Sequence, residues 1–346
     1  VGQLFYGPLS DSIGRKKALL AGMVLFAAGC AISYFANGFV TLISGQMVQG
    51  LGLGAPRVLG LTIARDKFEG NQMARTMSLV MAVFVFTPVI SPSVGKFFVD
   101  EYGWRMLFIL FSILAAFVFV AFQFTIPESL KTENRRSFNF REIRHALVEI
   151  LSNKSSMGFV LILGLYSGVF IAYLNLSQPI LQQHFQLNEA YPMYFAFLAS
   201  SIGVASILNA FLVKKVGSLR LVLASLFVAA ISTIPILFIS RFFGGQPPLA
   251  VFLVLMYIQL FSYGILIGNL SSLALQPMGH IAGLGSAVVG ALSTIISVPL
   301  SVLVGSQYNQ TISPLVIGFM CCGFLSLAIY SFINKKSVYY GKVCNQ

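Results

Sequence analysis

Read as a string of apolar and polar positions, the chain alternates long apolar runs with short polar ones from its first residues to about position 333. Each run is about twenty residues long, enough to cross a hydrocarbon core of about 30 Å as a helix. Lipid offers backbone amides and carbonyls no partner, so runs of this kind must be helical. The pattern predicts spans near 18–36, 40–63, 77–99, 105–125, 157–179, 191–213, 220–240, 249–273, 283–305 and 314–333. Val1 to Gly7 reads as the tail of a further helix whose start is missing.

Composition agrees with this pattern. Hydrophobic residues make up 57% of the chain and charged ones 9%, whereas a soluble domain carries about a quarter charged residues. Cys30, Cys321, Cys322 and Cys344 lack metal-ligand spacing, and three of them lie in apolar runs. Buried free thiols are expected, with no disulfide framework. His145, His184 and His280 are isolated, and no phosphate-binding P-loop is present. No metal, no cofactor and no enzymatic chemistry are expected.

The formal net charge of +12 would suit a nucleic-acid partner if it were clustered on a soluble face. It is instead sorted by topology. Eighteen of the 22 Lys and Arg fall in alternate loops, at 15–17, 65–75, 131–154, 214–220 and beyond 334. The basic face of a multi-pass protein is cytoplasmic, so the protein is expected in a bacterial inner membrane with its C-terminus in the cytoplasm. The longest polar stretch, 127–156, divides four spans and the remnant from six further spans. With one more helix the count becomes six and six, the pattern of many secondary transporters. The expected organisation is an incomplete helical half over 1–126, a cytoplasmic connector over 127–156 and a second half over 157–346. The basic connector also suits binding to anionic lipid.

One short stretch breaks the apolar pattern near the start: GPLSDSIGRKK, from Gly7 to Lys17. Gly7 and Gly14 allow close approach or a turn, Asp11 is an acceptor near a helix start, and Arg15 offers a planar fork for carboxylates. Gly7, Asp11, Gly14, Arg15 and Lys16 resemble the loop signature of the major facilitator superfamily between its second and third helices. Further stretches, ISGQMVQGLGLGAPRVLGLTIARD (43–66), TPVISPSVGKFF (87–98), YGWRMLF (102–108) and LQPMGHIAGLGSAVVGALST (275–294), are similar to the Bcr/CflA drug-resistance branch.

The resemblance implies an all-α major facilitator fold of two six-helix halves, with the first helix and the start of the second absent from this sequence. It also implies that the Gly7–Lys16 loop works as a cytoplasmic gate. Asp66, which ends the second complete span on the same face, is the expected partner of Arg15. Two positions depart from the branch. Gln46 stands where relatives carry an arginine implicated in proton handling, and of the antiporter signature only Pro92 and Gly95 are kept.

Polar residues inside the spans are the remaining candidates, since a transporter needs a polar path near the bilayer midplane. All ten carboxylates fall in loops or at helix ends, and the branch commonly carries its acidic residue in the first helix. Arg57 is the one intramembrane charge. It reads either as a cavity cation or as an arginine that caps carbonyls of a neighbouring helix. Gln46, Gln49, Asn175, Gln178 and Asn269 are expected to line a substrate cavity. Pro88, Pro92 and Gly95 are expected to bend their helix. The loop VKKVGSLRL (213–221) reads as a degenerate second copy of the opening motif, without its Asp.

The expected function is export of small amphipathic or drug-like compounds in exchange for protons, by a monomer that alternates its access. A nutrient or metabolite carrier of the same fold, or a truncated remnant that transports nothing, are the alternatives.

Overall fold

The computed structural model describes residues 2–67, 72, 83, 87, 90–91, 93–128, 130, 140–244, 247–277 and 282–343. All regular structure among them is helical. The chain runs through α1 (Gly2–Ile13), α2 (Arg15–Tyr34), α3 (Phe39–Lys67), α4 (Met106–Thr125), α5 (Phe140–Ser152), α6 (Lys154–Gln178), α7 (Tyr191–Val216), α8 (Ser218–Phe242), α9 (Leu249–Leu275), α10 (Ala282–Ser306) and α11 (Ser313–Val343). A helical stretch at 93–102 precedes α4. Nine of these helices are long and apolar enough to cross a membrane. They match nine of the ten spans expected from the pattern. The remaining one, 77–99, falls mostly outside the described residues.

The start differs from expectation. No loop opens at Gly7, because α1 continues through Pro8 to Ile13. Pro8 forfeits the one amide that would bond to the Leu4 carbonyl, and the helix runs on past it. Ser10 and Ser12 turn their hydroxyls back onto the carbonyls of Gly7 and Leu9, at 2.7 and 2.8 Å. Their side chains therefore do not compete for the helix's own amides. The break shrinks to one residue, Gly14.

Two compact units form, one holding α1 to α4 and the other α6 to α11, with the boundary inside α5. In the first unit α2 and α3 pack backbone against backbone. Gly22 and Gly29 on α2 face Gly45 and Gly52 on α3, each pair seven residues apart. Without an apolar driving force between helices in lipid, such close approach supplies the van der Waals contact that holds them. Tyr6, Ala18, Leu19, Ala55, Leu59 and Ile63 bury around one end of this pair, and Met23, Phe26, Cys30, Phe108 and Ala115 along its α4 side. Arg105 donates to the Ala36 carbonyl at 2.9 Å just beyond the end of α2 and lies over the Trp104 ring.

The second unit is built around α6. Gly164 and Gly168 let α10 approach, so that an added Cβ would lie 2.7 Å from Ile296 and 2.8 Å from Leu300. Gln259 on α9 donates to the Ala229 carbonyl and the Ser232 hydroxyl of α8, at 2.8 and 2.9 Å. Tyr330 on α11 donates to the Leu219 carbonyl at 2.9 Å. At its C-terminal end α6 widens at Pro179 into a π-type turn over Pro179–His184. The His184 ring then meets the Gln310 carbonyl at 2.8 Å.

Candidate functional site

The opening motif folds into a one-residue helix break clasped by a distant carboxylate. Gly14 takes φ 106°, ψ 148°, a conformation that side chains oppose and glycine adopts freely. The turn leaves the first amides of α2 without partners inside the helix, as at every helix start. Glu128, three residues after α4 ends, fills that place. Its carboxylate accepts from the amides of Arg15 at 2.8 Å, Lys16 at 3.3 Å and its own neighbour Leu130 at 3.2 Å. Negative charge at a helix N-terminus is favoured by the aligned peptide dipoles. A Cβ on Gly14 would run into the Glu128 carboxylate, so no other residue fits both the backbone and the clasp.

The cations of the motif complete the arrangement. Arg15 pairs with Asp11 one turn back and donates to the Ser10 hydroxyl. Lys16 reaches the Gln123 carbonyl at the end of α4, at 2.7 Å. Two links thus tie the start of α2 to the end of α4, through Glu128 and through Lys16. The structure brings together Asp11, Gly14, Arg15 and Lys16, with Gly7 accepting from Ser10 in the same helix. The side chain of Asp66, the expected partner of Arg15, lies outside the described residues. Glu128 was not singled out in the sequence. Its one signal is an acid in the P-E-S step that directly follows a span on the basic face.

The second unit repeats the backbone of the break without the clasp. Gly217, between α7 and α8, takes φ 84°, ψ 150°, and its amide bonds to the Val213 carbonyl at 3.0 Å, as Gly14 bonds to Ser10 at 3.1 Å. Nothing lies within 4 Å of a Cβ added there. The geometry of the break is common to both units, whereas among the described residues a carboxylate clasps only the first.

The membrane candidates divide into two sets. Gln46 and Arg57 are exposed on one stripe of α3 with Gly50, Leu53 and Gly60, about 100° around the helix from the buried stripe of Gly45, Gln49, Gly52 and Leu59. Eleven residues separate Gln46 from Arg57, about 16 Å along the helix. Asn175 and Gln178 are exposed one turn apart near the end of α6, and Gln178 donates to Gln182 at 3.0 Å across the π-type turn.

Gln49 and Asn269 are used differently. Gln49, 6% exposed, donates to Ser33 of α2 at 3.0 Å. Asn269, 3% exposed, spends its amide group on Asn209 of α7 at 2.6 Å and on its own helix at Ile265. Both bond one helix to the next. Among the bending candidates, Gly95 is helical and partly buried, while Pro88 and Pro92 lie outside the described residues. A recess of about 330 Å³ between α2 and α4, lined by Cys30, Tyr34, Phe108 and Ser112 among others, contains none of the expected cavity residues.

The Asn269 bond carries a direct test. Asn269→Ala should cost about 1 kcal/mol, as interhelical side-chain bonds in membranes do, and Asn209→Ala added to it should cost little more. Thermal unfolding in detergent of the single and double variants measures the pair. Full stability with weakened substrate binding would instead make Asn269 a ligand-contacting residue.

The family profile of the Major Facilitator Superfamily matches residues 1–301. The chain belongs to the Major Facilitator Superfamily. It is a multi-pass membrane protein of a transporter family, and transporters are not enzymes. The superfamily chain is 24% identical over 351 residues to the bicyclomycin resistance protein homolog of Haemophilus influenzae, covering 97% of this chain and 84% of that protein. It is 27% identical over 341 residues to the multidrug resistance protein MdtL of Shewanella oneidensis, covering 96% and 83%. These are the drug-resistance relatives that the Bcr/CflA likeness implied. Its fold is also that of the human organic anion transporter MFSD10, with a TM-score of 0.66 at 16% identity, over 96% of this chain and 79% of that one.

Proposed function

We propose that the protein exports small amphipathic compounds, drugs among them, in exchange for protons across a bacterial inner membrane. Access to its substrate would alternate between the two sides of the membrane. The clasped break at Gly14 is the observation that carries this proposal. A transporter that alternates needs one arrangement of its cytoplasmic ends that is locked yet reversible. A carboxylate shared by two backbone amides, 113 residues away in sequence, gives a discrete lock that can open without unfolding a helix. The names of the drug-resistance relatives support export and support this choice of substrate.

The exposed polar groups of α3 and α6 are the proposed substrate contacts. Arg57 and Gln46 would present a cation and an amide from the first half, and Asn175 and Gln178 two amides from the second. Few orienting groups amid much apolar surface suit ligands recognised by area more than by hydrogen bonds. Gln49, Asn269 and the glycines of α2 and α3 would hold the helices that carry these groups.

The test is transport in inverted membrane vesicles with an acidified lumen, using bicyclomycin as the probe. An exporter driven by protons should accumulate the drug in the lumen, and an uncoupler should release it. Accumulation that ignores the proton gradient would refute the coupling. Drug movement driven only in the opposite direction would make the protein an uptake carrier.

A further inference from the structure

We propose that α5 is a sensor of anionic lipid, docking its exposed face on the headgroups of the leaflet from which α6 departs. The inference is independent of what the transporter carries and rests on the placement of the 127–156 connector at the cytoplasmic side.

The faces of α5 are sharply divided. Ala146 and Ile150 are buried, at 1% and 0% exposure, with Ile143 and Leu147 half-buried beside them. The opposite face exposes Arg141, Arg144 and His145 in its first half and Val148 and Leu151, at 52% and 48%, in its second. Such a face would leave apolar side chains in water if nothing covered it. On an anionic interface such a face could pair its cations with lipid phosphates and bury its aliphatics beside the headgroups.

Position decides the occupant. Only Asn153 separates the last residue of α5 from Lys154, the first of α6. Its side chain caps α6 by accepting from the Ser155 and Ser156 amides at 3.1 and 3.0 Å. The 25 residues of α6 extend about 37 Å, longer than a hydrocarbon core of about 30 Å. With Lys154 and two serines at its start, that first turn suits the headgroup level, and the C-terminal end of α5 lies beside it.

Charge points the same way. Residues 131–154 hold six Lys and Arg against three Glu. Lys154 is exposed at the N-terminus of α6, an end where the helix dipole disfavours a cation. Among the described residues neither Lys154 nor Arg144 has an acidic partner. A lipid phosphate supplies what both lack. At the start of α2, by contrast, Glu128 already offsets Arg15 and Lys16, so the same surplus of cations has an internal answer there.

The full chain in vesicles tests this by amide hydrogen exchange over 140–152. Vesicles of phosphatidylethanolamine alone are compared with vesicles that also contain phosphatidylglycerol. The anionic lipid should slow exchange across α5, with each engaged cation changing the docked-to-free ratio about fivefold, and concentrated salt should erase the difference. Arg144→Gln should lower that slowing. Lys154→Glu is the sharper variant, because it suits the helix dipole of α6 while repelling the leaflet. It should keep or raise thermal stability and yet lose the response to phosphatidylglycerol. Equal exchange in both lipids, or a response unchanged in both variants, would overturn the proposal. So would protection that grows with protein density in phosphatidylethanolamine alone, since a second copy would then be the occupant.

Discussion

Gly52→Ala is expected to remove most of the folded protein, although it adds one methyl group to a membrane helix. The new Cβ would stand 2.7 Å from the Gly22 carbonyl oxygen and 2.7 Å from the Phe26 Cα, with the Phe26 amide nearer still. Every obstacle is backbone, so no side chain can rotate to make room. Either α2 and α3 separate or one of them bends, and both lose the contacts that the paired glycines create. Overpacking of a tight core costs about 1–3 kcal/mol, and a clash against two main chains belongs at the upper end. The thermal midpoint in detergent should fall by about 4 °C, with poor recovery of monodisperse protein. Gly50→Ala is the control. It lies two residues away on the exposed stripe, with nothing within 4 Å of its Cβ. Alanine there should leave stability equal or raise it by about 0.5–1 kcal/mol, the cost glycine imposes on a helix interior. Equal midpoints for the two variants would show that α2 and α3 are not packed in this way.

That contrast marks what the amino-acid pattern reveals and what it conceals. Nine helices were legible because membrane burial acts on every residue of a span, so apolar length alone finds them. The break at Gly14 was legible in kind, since a glycine between charged residues announces a turn. Its extent was not, because Pro8 and the serines hydrogen-bond locally and let α1 run on to Ile13. The roles of Gly50 and Gly52 depend on helical phase relative to a partner, and periodicity is weak where both faces are apolar. For the same reason Gln49 and Asn269 looked like cavity residues. An amide in a span must bond to something, but sequence does not say whether a ligand or Ser33 and Asn209 will serve. Glu128 was the hardest to see. Its partners lie more than a hundred residues away, and nothing local distinguishes it from other acids in a polar connector.

Glu128→Ala is expected to damage transport far more than it damages stability. The carboxylate satisfies the first two amides of α2 and places a negative charge at that helix start. Loss of such a cap costs about 0.5–2 kcal/mol, and the charge contributes about 0.3–1 kcal/mol more. If the clasp exists in only one of the two access states, all of that energy acts on their balance. A shift of about 1–3 kcal/mol changes the ratio of states by roughly 5- to 150-fold, enough to stall a cycle that must visit both. The whole fold loses no more than the same amount, spread over a large bundle, so expression and melting should change little. Asp11→Asn should have a smaller effect. Asp11 is 42% exposed and its pairing with Arg15 reaches only across the one-residue break at Gly14, and exposed ion pairs contribute about 0.2–1 kcal/mol. Glu128→Gln should fall between, keeping an acceptor for the Arg15 amide while giving up the charge. Vesicle transport rates and thiol labelling of cysteines introduced at the cytoplasmic ends of the helices would rank the three variants. Labelling should rise most in Glu128→Ala, because an unclasped α2 leaves that side open. A normal rate in Glu128→Ala, beside a slowed one in Asp11→Asn, would return the gate to the Asp11–Arg15 pair and leave Glu128 a helix cap alone.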